Sequence, residues 1–483
     1  MGHAEEVFWH LNNQYKQFYY NNTRVNNLPM SIEFVKKRNG RLDSFDPNKI
    51  NIVAERACEG LAEVSPSELV LDAQLNLYDK IPTSEIDTAL VMSAREKIQK
   101  APEYNFVATR ILFSTVYKDA FGDSVAAASF DKDYRLAFKK QIRSLSRSNV
   151  LQSDIAKPFD LDALASALVL ERDDRIRFLG SQVLVDRYLI RDGKKVVETP
   201  QAFWMRVAMG VAMNEEHPTA RAIEFYNLFS TQRYTPSTPT LFNSGLKNSQ
   251  LSSCYLNTFE DSIDGIFEGV WQEAKKSKYA GGLGFDVTNF RAAGAEIDGT
   301  PDICKGLVPW LKLFNDMLIA VNQKGKRPGA GCAYLEPWHK DYGKFIELRK
   351  NTGDDRMRTH DMNIATWTPD LFMERIKENG DWYMFCPHDC PDLHELYGPA
   401  FKERYLEYCA KADAGEITNF TIVKAKALWK DVIAVLFETS HPWITFKDPS
   451  NMRYTNQHEG VVHSSNLCTE IIEHTKPSRF NAD

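Results

Sequence analysis

The sequence of 483 residues has no apolar run that approaches the roughly 18 residues of a membrane-spanning helix, and it has no excess of positive charge. The first absence argues against an integral membrane protein. The second, 59 Lys and Arg residues against 65 Asp and Glu residues, argues against a nucleic-acid binder held mainly through phosphates. The 8 cysteines include no CxxC pair, which argues against a disulfide framework. Together these absences predict a cytoplasmic protein whose thiols stay reduced.

Common nucleotide-binding motifs are also missing. The sequence has no GxxxxGK[ST] phosphate loop, and the GLG at 282–284 lacks the third glycine of a dinucleotide fingerprint. Four metal-binding side chains lie close together, at Cys386, His388, Cys390 and His394, but without the paired spacing typical of zinc sites. We therefore favour a turn with two buried thiols and expect no metal in this chain.

The first half of the chain predicts a small sheet followed by helices. Residues 1–30 are polar and aromatic, and we interpret them as an extension. Alternation from Ile32 to Lys36 predicts a strand, residues 38–41 a hairpin turn, and Asp46-Pro47 the start of a helix. Apolar spacing then predicts helices at about 49–62, 66–77, 83–100 and 103–120, and helical structure from about 126 to 235.

After the TPSTPT segment at 235–240 the pattern changes to short strands alternating with helices. The predicted strands are 254–258, 284–287, 362–367, 382–385 and 443–446. One helix is marked at both ends, by Thr368 as N-cap, Pro369 in the first position and Gly380 after the last turn. Alternation over this length predicts a parallel α/β architecture, either an open sheet or a barrel.

The segment 464–470, of sequence SSNLCTE, combines an amide, a thiol and a carboxylate. If it is extended, Asn466, Cys468 and Glu470 project from the same side, because strand side chains alternate. They would then offer a substrate a hydrogen-bonding group, a reactive sulfur and a general base. A buried cysteine with two polar neighbours is the alternative, and because that arrangement is common, these residues taken alone favour it.

This segment resembles the N-x-C-x-E finger-loop signature of the large, catalytic subunit of class I ribonucleotide reductase. Further segments resemble landmarks of the same family in the same order. They are TPTLFN at 238–243, QLSSC at 250–254, AGGLG at 280–284, GKRPGAG at 325–331 and YLEPWH at 334–339. Residues 31–122 resemble the ATP-cone regulatory domain at the family's N-terminus.

The resemblance implies an α/β fold with an ATP-cone (31–122) and a helical domain (123–235). They would precede the first half of a ten-stranded α/β barrel with a central finger loop (236–483). The second half of the family's barrel has no counterpart in this sequence. It carries the second redox thiol, a phosphate loop and the tyrosines of the radical path. We therefore expect a separately encoded C-terminal piece of the large subunit.

The resemblance also implies roles for individual residues. Cys468 matches the cysteine whose thiyl radical removes the 3′ hydrogen of a ribonucleotide. Glu470 matches the carboxylate that takes the 3′-OH proton, and Asn466 the amide that holds the sugar. Cys254 matches one thiol of the pair that reduces the intermediate and ends as a disulfide. Thr238, Ser253 and Gly282 match positions that face the substrate diphosphate and ribose.

Regulatory residues follow from the same resemblance. The specificity-effector site would contain Asp261, Ser262 and Ile263 at a helix start, Arg291, and the loop residues Lys326 and Arg327. Asp298 stands where the family can carry another basic residue. In the ATP-cone, the matching positions are Lys37, Asp43, Lys49 and Thr83.

The implied ligands and partners are ATP or dNTP effectors, a small subunit with a metal that supplies the radical, and thioredoxin or glutaredoxin as reductant. Large subunits of the family also associate into dimers. We expect neither nucleic acid nor a membrane as partner. One alternative is a nucleotide-binding regulatory or assembly module without catalysis. Another is a vitamin B12-dependent reductase, although the KRPG and EPWH segments are more similar to class I.

Overall fold

The structure is a computed structural model that describes residues 32–122, 130–279, 281–297, 299–300, 303–321 and 329–477. The predicted extension at 1–30 lies outside these ranges. The chain divides into two compact units between Tyr234 and Thr235. Within the described ranges, no helix has the length and apolar character needed to cross a membrane.

The first unit begins with a small three-stranded sheet. Strands β1 (Phe34–Lys36) and β2 (Leu42–Ser44) pair antiparallel, and β3 (Ile81–Pro82) runs parallel to β1. The predicted hairpin turn is confirmed, with Gly40 at a φ of +85°. The predicted helix start is confirmed as well, because the Asp46 carboxylate accepts the Asn48 N–H at 3.0 Å.

Helices make up most of the remainder of the first unit. They are α1 (Pro47–Cys58), α2 (Pro66–Gln74), α3 (Thr83–Lys97), α4 (Tyr104–Phe121), α5 (Phe130–Arg147), α6 (Leu161–Ala167), α7 (Phe178–Val183), α8 (Pro200–Ala212) and α9 (Pro218–Ser230). A 3-10 helix (Leu170–Arg175), a π-helical turn (Leu184–Tyr188) and a short hairpin of β4 (Arg191–Asp192) and β5 (Lys195–Val196) lie between them. The four helices predicted between 49 and 120 are confirmed, with ends shifted by a few residues.

The second unit is built on a five-stranded parallel sheet. Its strands are β6 (Cys254–Thr258), β7 (Gly282–Asp286), β8 (Gly331–Leu335), β9 (Asn363–Thr368) and β12 (Trp443–Phe446), in the order β12-β9-β8-β7-β6. All four ladders are parallel. The predicted parallel α/β architecture is confirmed.

Helices connect these strands. They are α10 (Thr238–Asn243), α11 (Ile263–Lys278), α12 (Leu307–Ala320), α13 (Tyr342–Ile346), α14 (Asp370–Glu378), α15 (Gly398–Asp413), α16 (Ala425–Thr439) and α17 (Lys447–Arg453). Short 3-10 turns occur at Glu347–Arg349, Asp355–Met357, Pro387–Asp389 and Leu393–Glu395. These connecting helices pack apolar side chains against the sheet, because a parallel sheet is stable only when its faces are covered by other elements.

The two faces of the sheet have different partners. On one face Leu283, Phe285 and Leu335 join the main hydrophobic core with the connecting helices. On the other face Tyr334 and Trp367 form a second cluster, and residues from the C-terminal part of the chain pack against it. Alternation along each strand sends neighbouring residues to opposite faces, which accounts for the two separate cores.

One predicted strand of this unit is confirmed but lies outside the main sheet, and one predicted helix cap is wrong. The predicted strand at 382–385 lies in β10 (Asp381–Phe385), which pairs antiparallel with β11 (Phe420–Lys424) outside the main sheet. A short apolar run does not specify its partner strand. Thr368 is not an N-cap, because it ends β9 in register with Phe446. Pro369 takes the N-cap position, and the Asp370 N–H donates to the Asp448 carboxylate at 2.6 Å.

Candidate active site

Residues 461–477, here the finger loop, cross one face of the parallel sheet. β7 makes room for them with alternate glycines that face the loop. A Cβ on residue 284 would lie 2.5 Å from the Cα of Asn466, and a Cβ on residue 282 would lie 3.1 Å from Leu467 Cδ2. The Tyr334 hydroxyl donates to the Asn466 carbonyl at 2.7 Å. Gly282 and Gly284 therefore allow the backbone of the loop to lie directly against the sheet.

The tip of the finger loop is a turn and not an extended segment, which corrects the geometry expected for 464–470. Thr469 has a φ of +66°. The Asn466 side-chain oxygen accepts the N–H groups of Glu470 at 3.1 Å and of Ile471 at 2.9 Å. An Asn side chain that caps its own turn in this way competes with strand formation. The amide oxygen of Asn466 is thus committed to holding the turn.

The turn brings Glu470 to Cys254. The Cys254 Sγ lies 3.4 Å from Glu470 Oε1, although the two residues come from β6 and from the finger loop. Burial raises the pKa of the Cys254 thiol, and the hydrogen bond to Glu470 and its charge raise it further. Burial, followed by the charges of Glu470 and Cys254, raises the pKa of the Cys468 thiol. Both sulfurs are therefore kept as S–H groups, the form that donates a hydrogen atom.

The Asn466 amide nitrogen has a different environment from its oxygen. Nδ2 is buried and forms no hydrogen bond of normal geometry within the described part of the chain, although the Asn466 side chain lies close enough to the Cys254 thiol to lower its pKa. A buried donor without a partner is costly unless a ligand or water satisfies it. This N–H group is therefore available to a bound molecule beside the pair formed by Cys254 and Glu470.

The predicted substrate-binding residues, Thr238, Ser253 and Gly282, lie on segments that are hydrogen-bonded to one another around Cys254. The Gly282 N–H donates to the Ser253 carbonyl at 2.7 Å, next to the start of β6. Thr238 begins α10, and that helix is fastened to the segment before Cys254 by two hydrogen bonds. The Thr240 hydroxyl donates to the Leu251 carbonyl at 3.0 Å, and the Asn243 amide donates to the Gln250 carbonyl at 2.8 Å.

The predicted effector residues are grouped at the start of α11. Ser262 is the N-cap of this helix and accepts the Gly265 N–H at 3.0 Å. The Arg291 guanidinium donates to the Asp261 carboxylate at 2.6 Å. These two side chains, both predicted to bind the effector, therefore form an ion pair with each other in the structure. Ile263 is 69% exposed. Lys326, Arg327 and Asp298 lie outside the described residues.

One side of α11 carries an exposed apolar stripe. Ile263, Phe267 and Trp271 follow one another at helical spacing and are all exposed. The Lys275 ammonium lies 4.8 Å from the centre of the Trp271 ring, and Phe267 packs edge-on against Trp310 of α12. Exposed apolar surface of this kind marks an interaction face.

The four predicted ATP-cone residues lie around the small sheet. Asp43 on β2 is 4.0 Å from Lys37 Nζ and 2.7 Å from Arg41 Nε. The hydrogen bond from Arg41 lowers the pKa of Asp43, with smaller contributions from Lys37 and Lys49. Thr83 begins α3 directly after β3, which pairs with β1. A basic cluster at the edge of a sheet suits an anionic ligand.

Comparison with known proteins gives a consistent result along the chain. The ribonucleotide reductase barrel-domain family matches residues 252–481, the ribonucleotide reductase all-alpha-domain family matches 175–249, and the ATP cone domain family matches 33–119. The chain belongs to the ribonucleotide reductase large-subunit family. The resemblance recognised from the finger-loop and landmark motifs is thereby confirmed.

Individual relatives agree with this assignment. The chain is 50% identical over 418 residues to the ribonucleoside-diphosphate reductase subunit alpha of Chlamydia trachomatis, covering 86% of this chain and 40% of the relative. Identity to the subunit alpha of Helicobacter pylori is 40% over 448 residues, covering 92% and 55%. Identity to the large subunit of Monkeypox virus is 36% over 445 residues, covering 91% and 56%. The chain thus spans about half the length of the reductase subunits it matches.

The cysteine and histidine group at 386–394 of this reductase-family chain is a turn with two buried thiols, as predicted. Cys386 and Cys390 flank the 3-10 turn and are both 0% exposed. His394 does not join them. Its two ring nitrogens face Asp286 and Glu336 instead. In the described ranges, no group of three His, Cys, Asp or Glu side chains has the arrangement of a metal site.

Sequence reasoning did not predict that four charged side chains would be buried together: Asp286, Glu336, His394 and Lys447. We call them the buried charge cluster. His394 Nδ1 lies 2.6 Å from Glu336 Oε1, His394 Nε2 lies 2.9 Å from Asp286 Oδ2, and Lys447 Nζ lies 2.7 Å from Glu336 Oε1. All four are at most 1% exposed. Three of them end or follow the strands β7, β8 and β12, and the shared edge of parallel strands is the signal that could have revealed them.

Proposed function

We propose that this chain is the N-terminal portion of a ribonucleoside-diphosphate reductase large subunit, which converts ribonucleotides to deoxyribonucleotides by thiyl-radical chemistry. The observation that supports this most directly is the meeting of Cys254 and Glu470 at 3.4 Å, beside the buried and unsatisfied amide of Asn466. A regulatory module has no need of a thiol held against a carboxylate that lies on the same short turn as a second thiol.

The proposed reaction uses each of these groups once. A thiyl radical on Cys468 takes the 3′ hydrogen of the ribose, and Glu470 accepts the 3′-OH proton while the 2′-OH leaves as water. Cys254 and a second thiol supply the two reducing equivalents and become a disulfide. The 3′ hydrogen then returns from Cys468, which regenerates the thiyl radical. In the overall reaction, one ribonucleotide and one dithiol give one deoxyribonucleotide, one water and one disulfide.

The same proposal assigns the surrounding contacts. The Asn466 amide would donate to a sugar hydroxyl, because it is the buried donor without a partner. Thr238, Ser253 and Gly282 would face the ribose and the diphosphate. The first two lie on the segments fastened together before β6, and Gly282 pairs with Cys254. A glycine backbone can approach a phosphate closely.

We extend the proposal to control by nucleotides. A dNTP or ATP would bind at the start of α11, where it would compete with the contact between Asp261 and Arg291, with Ser262, Ile263, Lys326 and Arg327 nearby. The exposed stripe of α11 would pack against a second copy of the subunit. ATP or dATP would bind the cone through Lys37, Lys49, Asp43 and Thr83.

The proposed partners supply what these residues do not. A small subunit with a metal centre would generate the radical, and thioredoxin or glutaredoxin would reduce the disulfide. The relatives are about twice as long as their matched regions. We propose that turnover takes place in the cytoplasm and needs large-subunit residues beyond the region of the relatives that is matched here.

The test is deoxynucleotide formation from a ribonucleoside diphosphate by this chain combined with a C-terminal large-subunit segment, a small subunit and dithiol. Cys468→Ser should abolish product, whereas Cys409→Ser, on α15, should not change it. Undiminished product with Cys468→Ser would leave only a regulatory or assembly role. Turnover by the chain alone would contradict the need for a second segment.

A further inference from the structure

The geometry of the buried charge cluster determines the charge of His394. Both ring nitrogens face carboxylate oxygens, of Asp286 and Glu336, and a carboxylate only accepts hydrogen bonds. Each nitrogen must therefore carry a proton, so His394 is an imidazolium. Burial opposes this charge, but Asp286 and Glu336 together raise the pKa of His394 to about 9. With Lys447 present, two cations balance two carboxylates, which avoids an unpaired buried charge.

The imidazolium of His394 is in direct contact with the finger loop. Its ring stacks on His463, with 3.9 Å between the ring centres and 23° between the planes. His463 is 2% exposed, and its Nε2 lies 3.3 Å from Glu395 Oε2. Burial and then the charge of His394 lower the pKa of His463, which favours its neutral form. A cation on the face of a neutral aromatic ring is an attractive pair, and it is stronger when water is excluded.

A separate set of contacts holds residues 461–463, which begin the finger loop and are called its stem. The Val462 N–H donates to Asn451 Oδ1 at 2.7 Å, and its carbonyl accepts from Asn451 Nδ2 at 3.0 Å and from Trp367 Nε1 at 3.2 Å. These bonds fix the backbone of the stem against β9 and α17. The ring of His463 adds a contact toward β7 and β8, on which the tip of the loop lies. Two independent attachments are what a loop needs in order to hold its tip in one orientation.

We propose that His394 is a positioning residue: clamped by Asp286 and Glu336, its ring holds the stacked ring of His463 and so sets the position of the loop that carries Asn466, Cys468 and Glu470. The consequence for catalysis rests on the proposed reductase function, whereas the effect on the loop does not. The cluster touches no reacting atom. It acts through the stem, and a displacement of about 1 Å at the tip costs orders of magnitude in rate.

Hydrogen–deuterium exchange of the full chain tests the proposal without requiring activity. His463→Ala removes the stacked ring, and His463→Phe keeps a ring of similar size. In His394→Gln, the new side chain cannot donate hydrogen bonds to both Asp286 and Glu336. His388→Gln changes an exposed histidine on a neighbouring turn and serves as control. We expect His463→Ala and His394→Gln to speed amide exchange in 461–477 by about tenfold or more, with β9 unchanged. His463→Phe and His388→Gln should match the wild type.

Each result of the exchange experiment either supports or overturns the proposed role of His394. Unchanged exchange of 461–477 in His463→Ala would overturn the proposal, and so would equal loss of protection in His463→Phe and His463→Ala, because stacking would then have no role. If His394→Gln also loses protection in β9, it has unfolded the unit, and the two His463 variants decide. In the complemented enzyme, the turnover number should fall in His463→Ala and recover in His463→Phe. Absence of activity in every variant, wild type included, would count against the reductase function alone.

Discussion

Gly284 and Asn466 are in direct main-chain contact, since a Cβ on residue 284 would lie 2.5 Å from the Cα of Asn466. Gly284→Ala should therefore push the finger loop off the sheet and destabilise the second unit by about 1–3 kcal/mol, the usual cost of overpacking. Gly343→Ala is the matched control, because it lies in a helix with open space around it. Urea denaturation measures both, and equal stability of the two variants would contradict this account of the loop.

Glu470→Gln should lower the pKa of both neighbouring thiols. The Glu470 carboxylate raises the pKa of Cys254 and of Cys468, so its neutral replacement makes each thiolate easier to form. The pH dependence of iodoacetamide alkylation, followed peptide by peptide, should shift to lower pH for both. Glu473→Gln, on the same loop, should leave the profile in place. A profile that stays unchanged in Glu470→Gln would place the carboxylate away from the thiols.

As far as the stacked histidines determine it, the stability of the second unit should be greatest near pH 6.5, falling on the alkaline side up to about pH 9 and also on the acidic side. His394 has its pKa raised from 6.5 to about 9, so its contribution is complete below 6.5 and is lost as the pH rises through 9. His463 has its pKa lowered, so its contribution is present above 6.5 and is lost as the pH falls. Thermal unfolding between about pH 5 and 10 measures the acidic and the alkaline limb of this stability profile. His394→Gln should remove the alkaline limb, and a persisting limb would assign it to other groups.

Asp261→Ala should weaken effector binding with little effect on folding. The pair with Arg291 is partly exposed, so its loss should change the free energy of unfolding by less than about 1 kcal/mol. Loss of a charged acceptor for a sugar hydroxyl should reduce dNTP affinity by about tenfold. Calorimetric titration with dNTPs gives the affinity, and Asp264→Ala on the same turn is the control. An affinity that rises in Asp261→Ala would show that the pair only blocks Arg291.

Phe267→Glu should prevent self-association of the chain, because it places a charge in the exposed stripe of α11. Leu406→Glu changes an exposed leucine on α15 and should leave association intact. Sedimentation equilibrium measures both, at matched concentrations and with effector present. Dimers that persist in Phe267→Glu would place the subunit contact elsewhere.

The sequence predicts this fold well where the signal is local. β6 and β12 begin and end at the predicted residues. β10 shows where this fails, since the partner strand of a short run depends on the connections around it. The tip of the finger loop fails for another reason. The Asn466 side chain caps the backbone, and that competition is invisible to a period-two pattern.

The catalytic candidates and the residues that position them differ in how far they can be predicted. Cys468 and Glu470 are close in sequence, so a motif can report them, and Cys254 follows from a second motif. His394, Asp286 and Glu336 belong to distant segments, and charged residues in a sequence normally indicate solvent-exposed positions. Only the topology of the parallel sheet brings them together in the interior.

The glycines of β7 have a consequence for how variants of this protein should be interpreted. The two glycines give β7 no apolar side chain on the face toward the finger loop, so Leu467 and Ile472 of the loop complete the packing against Tyr334 and Trp367. The finger loop therefore supplies both core packing and the proposed catalytic residues. Screens that sort substitutions into those that harm folding and those that harm turnover will find the two categories merged along this stretch.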